Sequence, residues 1–367
     1  MRDKIISFLL AIITLGIMAV ISVMGYMIYK EITGQSIIPE DFVGEIKYIL
    51  SEETINQNTT IIQENSFDGV DGQKINKITK YKHLYDQLDS TAKTIYDKLY
   101  ENRENLKTGI YTVDFGNAFQ SVLSETDGDV KLKKDYQSAI EAFIYENPEI
   151  FYIDATSMFI NIEKITKITG TKYNVYIDNG SKKNYLAEGF NSKEDIDNCQ
   201  IELEKIRSGV IATIEDKEDY EKIKIIHDYL VDTIEYDSTT SLDNIYNIYG
   251  ALIEKKCVCE GYAKAFQYLM SGTGIDNTIV IGTGTNSKGK TENHAWNYVK
   301  LNSKWYAVDT TWDDPIIIGN GKLPLKSKYQ YFLKGSNTMN QNHFISGKFT
   351  DAGQMFSYPE LSVDDYE

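Results

Sequence analysis

The sequence predicts an α+β fold preceded by a membrane-spanning segment. Three observations carry this: an uncharged run from Ile5 to Tyr29, helical periodicities concentrated before about residue 270, and a cluster of strand-like segments after about residue 278. Helices gathered ahead of an antiparallel sheet, rather than alternating with single strands, are the α+β pattern. The chain has 367 residues, 42% of them hydrophobic, which is ample for a packed core and excludes a mostly disordered protein. Lysine and arginine total 38 against 54 acidic residues, a net charge of −16. That balance excludes non-specific nucleic-acid binding, which needs cationic groups to displace counterions from phosphates. Three cysteines, at 199, 257 and 259, are too few for a disulfide scaffold.

The elements follow in chain order. Residues 5–29 would span about 37 Å as a helix, more than the roughly 30 Å of a bilayer core. Arg2 and Lys4 precede the run, while Lys30 and Glu31 nearly cancel after it. The positive-inside rule therefore puts residues 1–4 in the cytoplasm and everything beyond the anchor outside the cell. The run is longer than a signal-peptide core and no small-residue cleavage pattern follows it, so the anchor is expected to stay attached. Residues 30–78, rich in Glu, Asn, Gln, Thr and Ser, read as a stalk or leader.

Residues 79–190 read as an accessory α+β domain, either a substrate-docking module or a segment over the cleft. Leu84, Leu88, Ala92, Ile95, Tyr96 and Leu99 recur at helical steps, and Tyr136, Ile140, Phe143 and Ile144 mark a second helix stopped by Asn147-Pro148. Phe151–Ile168 and Lys172–Ile177 read as strands of a meander, with a further turn at Asp178-Asn179-Gly180. Residues 191–367 read as the domain that carries chemistry. A helical stretch over 193–235, broken near Asp216, bears Ile223, Ile226, Leu230, Val231 and Ile234 as its apolar stripe, with His227 on the same face as a core histidine. Cys259 opens the helix running through Ala263, Phe266, Leu269 and Met270, and Thr278–Gly282, His294–Leu301 and Lys304–Thr310 read as strands.

Thiol acyl transfer needs a thiolate, an imidazole that takes and returns the proton, and a third polar group that fixes the imidazole. Cys259 at a helix start sits where unpaired N–H groups favour negative charge. If the strands bearing His294 and Asp309 form a hairpin across Asn302-Ser303, the index sum of 603 places the two residues roughly opposite each other. Cys257, a second thiol two residues before Cys259, would either form a mixed disulfide or fill space, the latter being expected, and Cys199 has no evident role. The backbone N–H of Cys259 is one oxyanion donor, with Tyr236 or Tyr249 as candidate second. A zinc site from Cys257, Cys259 and His294 has poor spacing and no evident fourth ligand. Nothing in their sequence context assigns His83 or His343 a role. Asp313-Asp314-Pro315 reads as a turn.

Three motifs, in this order, resemble those of the transglutaminase-like superfamily of papain-like fold: Cys259-Glu260-Gly261-Tyr262-Ala263, His294-Ala295-Trp296-Asn297, and Trp305-Tyr306-Ala307-Val308-Asp309-Thr310-Thr311-Trp312-Asp313. Cys257 stands where the family commonly has glycine. Residues 142–152 resemble an accessory segment of bacterial, membrane-anchored members, and the Ile-, Lys- and Asn-heavy composition fits a bacterial source. The resemblance implies Cys259 as nucleophile, His294 as general base and acid, and Asp309 as its orienter. It implies a surface-exposed peptidase, amidase or cross-linking transglutaminase, with no cofactor or metal and a protein or peptide substrate at the cell surface. The alternative from another class is a catalytically silent domain that binds peptides or scaffolds a surface complex.

Overall fold

A computed structural model describes residues 81–168, 170–240, 243–314 and 328–367. The expected anchor at 5–29 and the expected stalk at 30–78 lie outside the described residues; no helix among those described is long and apolar enough to cross a membrane. All described residues fall within one compact unit, Asp68–Glu367.

The amino-terminal half is built on two helices. The predicted helix over 84–99 is broken: a single turn at His83–Asp86 is followed by α1, Ser90–Glu101, because the Asp89 carboxylate accepts the Ala92 N–H and starts a new helix there. The long helix α2, Gly128–Glu146, ends where predicted, at Asn147-Pro148. Tyr96 of α1 meets Phe143 of α2 edge-on, with ring centroids 5.7 Å apart.

Beside them lies a three-stranded antiparallel sheet of order β1-β3-β2, from β1 (Val113–Gly116), β2 (Phe159–Lys167) and β3 (Gly170–Asp178). The strand expected from Phe151 begins only at Phe159. Phe151, Tyr152 and Ile153 are buried as individual anchors, and the Asp154 side chain accepts the Thr156 N–H to form a 3₁₀ turn instead. β1 is too short, at four residues, to show a period.

In the carboxyl-terminal half the predicted helical stretch is indeed two helices, α3 (Lys193–Ala212) and α4 (Asp219–Thr233). Two short parallel strands, β4 (Glu235–Tyr236) and β5 (Lys256–Cys257), lead into α5, Cys259–Met270. Helix α5 is buried along its length and packs on a four-stranded antiparallel sheet of order β8-β7-β6-β9. Its strands are β6 (Asn277–Thr285), β7 (Thr291–Leu301), β8 (Lys304–Val308) and β9 (His343–Ile345). Asn297 of β7 donates to the Ala263 carbonyl of α5 at 3.0 Å, pinning helix to sheet. The β7–β8 hairpin turns at Asn302 and Ser303, both with positive φ (50° and 65°), as a tight two-residue hairpin requires. The segment after β9 runs back over the amino-terminal half, where the Gln354 N–H donates to Ser138 and the Ser357 N–H to Gln87.

Candidate active site

Cys259 is the first residue of α5, and the first intrahelical bond there runs from the Tyr262 N–H to the Val258 carbonyl. The N–H groups of the first turn therefore point at the sulfur's surroundings without helical partners. Gly261 allows this arrangement. A Cβ there would lie 2.6 Å from the Cys257 Cβ and 2.7 Å from the Ile245 carbonyl oxygen. Cys257, fully buried, is the side chain filling that space; burial pushes its thiol well above the ordinary range. It is a packing residue in the position the sequence expected of it.

His294 and Asp309 meet, with Nε2 of the ring 2.7 Å from Oδ2. The route differs from the predicted one. The register pairs Asn297 with Val308, an index sum of 605 rather than 603, so Asp309 would stand opposite Trp296 and His294 is its diagonal neighbour on the same face. Diagonal pairs are within reach of long side chains. The ring stacks against Trp312 (centroids 5.0 Å, planes 29° apart) and Trp296 (5.8 Å, 27°). Gly284 of β6 makes room for this stack, since a Cβ there would come within 2.7 Å of the Trp312 ring.

The electrostatics match the geometry. Burial alone would lower the His294 pKa; the Asp309 carboxylate overrides it, the nearby Cys259 sulfur adds to the effect, and the ring is held up at about 10. Asp309, although fully buried, lies below the usual carboxylate range because the imidazoles facing it outweigh desolvation. With Nε2 on Asp309, Nδ1 is the ring nitrogen left for the sulfur.

His343, which nothing in the sequence singled out, is part of the same site. Its Nε2 lies 3.0 Å from Asp309 Oδ2, and its Nδ1 2.8 Å from Asn342 Oδ1. The other carboxylate oxygen of Asp309 accepts the backbone N–H groups of Thr311 (3.0 Å) and Trp312 (3.1 Å). Asp309 is thus held by two imidazoles on one oxygen and two amides on the other. No sequence spacing signals His343: it reaches the site on β9, which pairs with the far edge of β6.

The turn expected at Asp313-Asp314 does more than turn. The fully buried Asp313 accepts from His227 Nε2 at 3.1 Å and from the Tyr331 N–H at 2.8 Å, and burial pushes it up to about 6. His227 Nδ1 also contacts Asp228, and these bonds raise the ring's pKa against its burial. His227 is a satisfied core histidine, as read. Asp314 accepts from the Tyr262 hydroxyl of α5. Three acidic residues within one short loop therefore grip β7 and β9, α4, and α5.

Of the candidate oxyanion donors, Tyr236 lies close enough to Cys259 for the sulfur's charge to raise its pKa, after burial. Tyr249 instead packs against Phe151 and Phe190, away from the site, which removes it as a donor. Among the described residues the group with metal-ligating geometry is His294, Asp309 and His343, with ligand atoms within 4.8 Å of one another. Its 2.7 and 3.0 Å separations are those of N–H···O hydrogen bonds. Neither Cys257 nor Cys259 belongs to it, so the cysteine-based zinc set does not assemble.

Together, a helix-borne cysteine and a histidine–aspartate pair on an adjoining antiparallel sheet define a transglutaminase-like core. Residues 208–310 match the family model of the transglutaminase-like superfamily, so the chain carries a domain of that type. It is similar to the kyphoscoliosis peptidase of Mus musculus, 26% identical over 160 residues, covering 39% of this chain and 24% of that protein. It is also similar to that of Homo sapiens, 27% identical over 142 residues, covering 35% and 21% respectively. The chain spans less than a quarter of the length of either curated relative. Among solved structures, a TGase overlaps 48% of this chain and 50% of its own, at 17% identity and a TM-score of 0.29.

Proposed function

We propose that this protein is a surface-exposed thiol acyl-transfer enzyme, anchored by residues 5–29, that attacks a carboxamide or peptide carbonyl. The observation that carries the proposal is one imidazole, His294, with a carboxylate on Nε2 and the Cys259 sulfur near its other side. His294 already holds the Cys259 proton as an imidazolium, the sulfur attacks as the thiolate to form the sulfur–carbon bond, and the developing oxyanion meets the free N–H groups of the first turn of α5. The imidazolium then protonates the departing nitrogen as the carbon–nitrogen bond breaks, leaving a thioester. Water releases the acid; a primary amine instead yields a new amide. Asp309 holds the ring's tautomer throughout and is itself held by His343.

The test incubates the full-length protein in detergent with a glutamine-containing protein and a labelled primary amine, beside Cys259→Ala. Label incorporation by the wild type alone identifies a cross-linking enzyme, and fragments released by the wild type alone identify a peptidase. Neither product, together with Cys259 alkylating no faster than Cys199, refutes the enzymatic reading in favour of a silent binding domain.

A further inference from the structure

Away from the thiol, at the opposite end of α5, three residues that line one small pocket each carry a buried oxygen without a hydrogen-bond partner. The oxygens are Glu146 Oε2, Gln267 Oε1 and Asn277 Oδ1. Their residues are 5%, 8% and 7% exposed, so solvent does not satisfy them. Unpaired buried acceptors are costly, and three on residues lining one pocket call for a shared partner. Reversing an amide is no remedy at Asn277, because its Nδ2 already donates to the Ile275 carbonyl at 3.1 Å, and a flip would set two oxygens against each other.

Glu146 is the last residue of α2, and Met270 and Ser271, also lining the cavity, end α5, so the negative ends of two helices meet there. The other oxygen of Glu146 takes the N–H groups of Leu84 and Tyr85. The nearby Lys82 ammonium sits over the rings of Tyr85, Tyr96 and Tyr100 at 4.9 to 5.1 Å. The cavity measures about 20 Å³, room for a single water-sized occupant.

We propose that this cavity is a binding site for one monovalent cation of sodium's size, ligated by Glu146 Oε2, Gln267 Oε1 and Asn277 Oδ1. One carboxylate with two neutral carbonyl oxygens supplies a single negative charge, which a monovalent ion cancels; calcium sites usually bring more carboxylates and six to eight oxygens. The ion ties the end of α2 to the end of the helix that begins at Cys259. The site stands independently of the proposed activity.

The experiment follows thermal unfolding of the full-length protein in detergent as sodium chloride replaces choline chloride at constant ionic strength. The expected result is a rise of about 3 °C per tenfold increase in sodium above its dissociation constant. Glu146→Gln should remove that dependence, and Asn277→Asp, which adds a carboxylate, should make the protein respond to calcium. Identical unfolding of the wild type in sodium and choline overturns the proposal and leaves a cavity holding only water, and this arm needs no variant to fold. A wild-type response to calcium but not sodium overturns the monovalent assignment. A sodium response undiminished in Glu146→Gln overturns the location.

Discussion

Replacing Asp309 with asparagine changes the chemistry of the site while leaving its shape intact. The asparagine Oδ1 can still accept from Thr311 and Trp312, and its Nδ2 carries two hydrogens where Asp309 Oδ2 now faces two imidazoles. Each ring must then accept at Nε2 and carry its proton on Nδ1. For His343 this is harmless, since Nδ1 faces the Asn342 oxygen. For His294 it puts a proton between the ring and the sulfur, where a base is needed. The ring's elevation from 6.5 to about 10 corresponds to roughly 5 kcal/mol, divided between Asp309, the larger contributor, and Cys259. Losing the Asp309 share should cut thiolate formation and proton transfer together by about a thousandfold or more. The assay is the rate at which iodoacetamide alkylates Cys259 near neutral pH, read by peptide mass spectrometry with Cys199 as internal reference. Circular dichroism should show the variant folded. A folded Asp309→Asn protein whose Cys259 alkylates within tenfold of the wild type would sink the reasoning.

Three further outcomes are expected. His343→Phe removes one of the donors that keep Asp309 ionised, so Cys259 alkylation should slow by about tenfold and its acid limb should move to higher pH; an unmoved acid limb would show His343 to be packing alone. Gly261→Ala forces a Cβ into Cys257 and the Ile245 carbonyl and should destabilise the fold by about 1–3 kcal/mol in urea unfolding, whereas an unchanged midpoint would disprove the close approach. His294 has a folded pKa above its unfolded value, so its stabilisation is complete below about 6.5 and lost as pH rises through about 10. The denaturation midpoint should accordingly fall across that window in the wild type and much less in Asp309→Asn; equal slopes would contradict the assignment.

What the sequence made legible was what local chemistry controls. Asn147-Pro148 stopped α2 where expected. His294 and Asp309, read as neighbours, do meet, because they lie on the two arms of one hairpin whose turn at Asn302-Ser303 is visible in the sequence. The misreadings arose where one residue overrode periodicity: Asp89 capping a new helix inside an apolar stripe, and Asp154 turning a run that looked like a strand. Register escaped because a shift of two in the index sum keeps the same residues on the same face, so His294 and Asp309 meet diagonally. His343 and the separate duties of Asp313 and Asp314 were invisible because their partners are 34, 86 and 52 positions away along the chain.

That long-range wiring has a consequence for when the thiol becomes reactive. Its helper groups arrive at positions 294, 309 and 343, so a ribosome must deliver the chain through β9 before the last of them can dock. Until β9 pairs with the edge of β6, Asp309 lacks the His343 ring on its Oδ2 and the imidazole beside Cys259 lacks part of its support. On the proposed reading, attack by the thiol waits on this last docking step, so the site is assembled only after translation has passed β9.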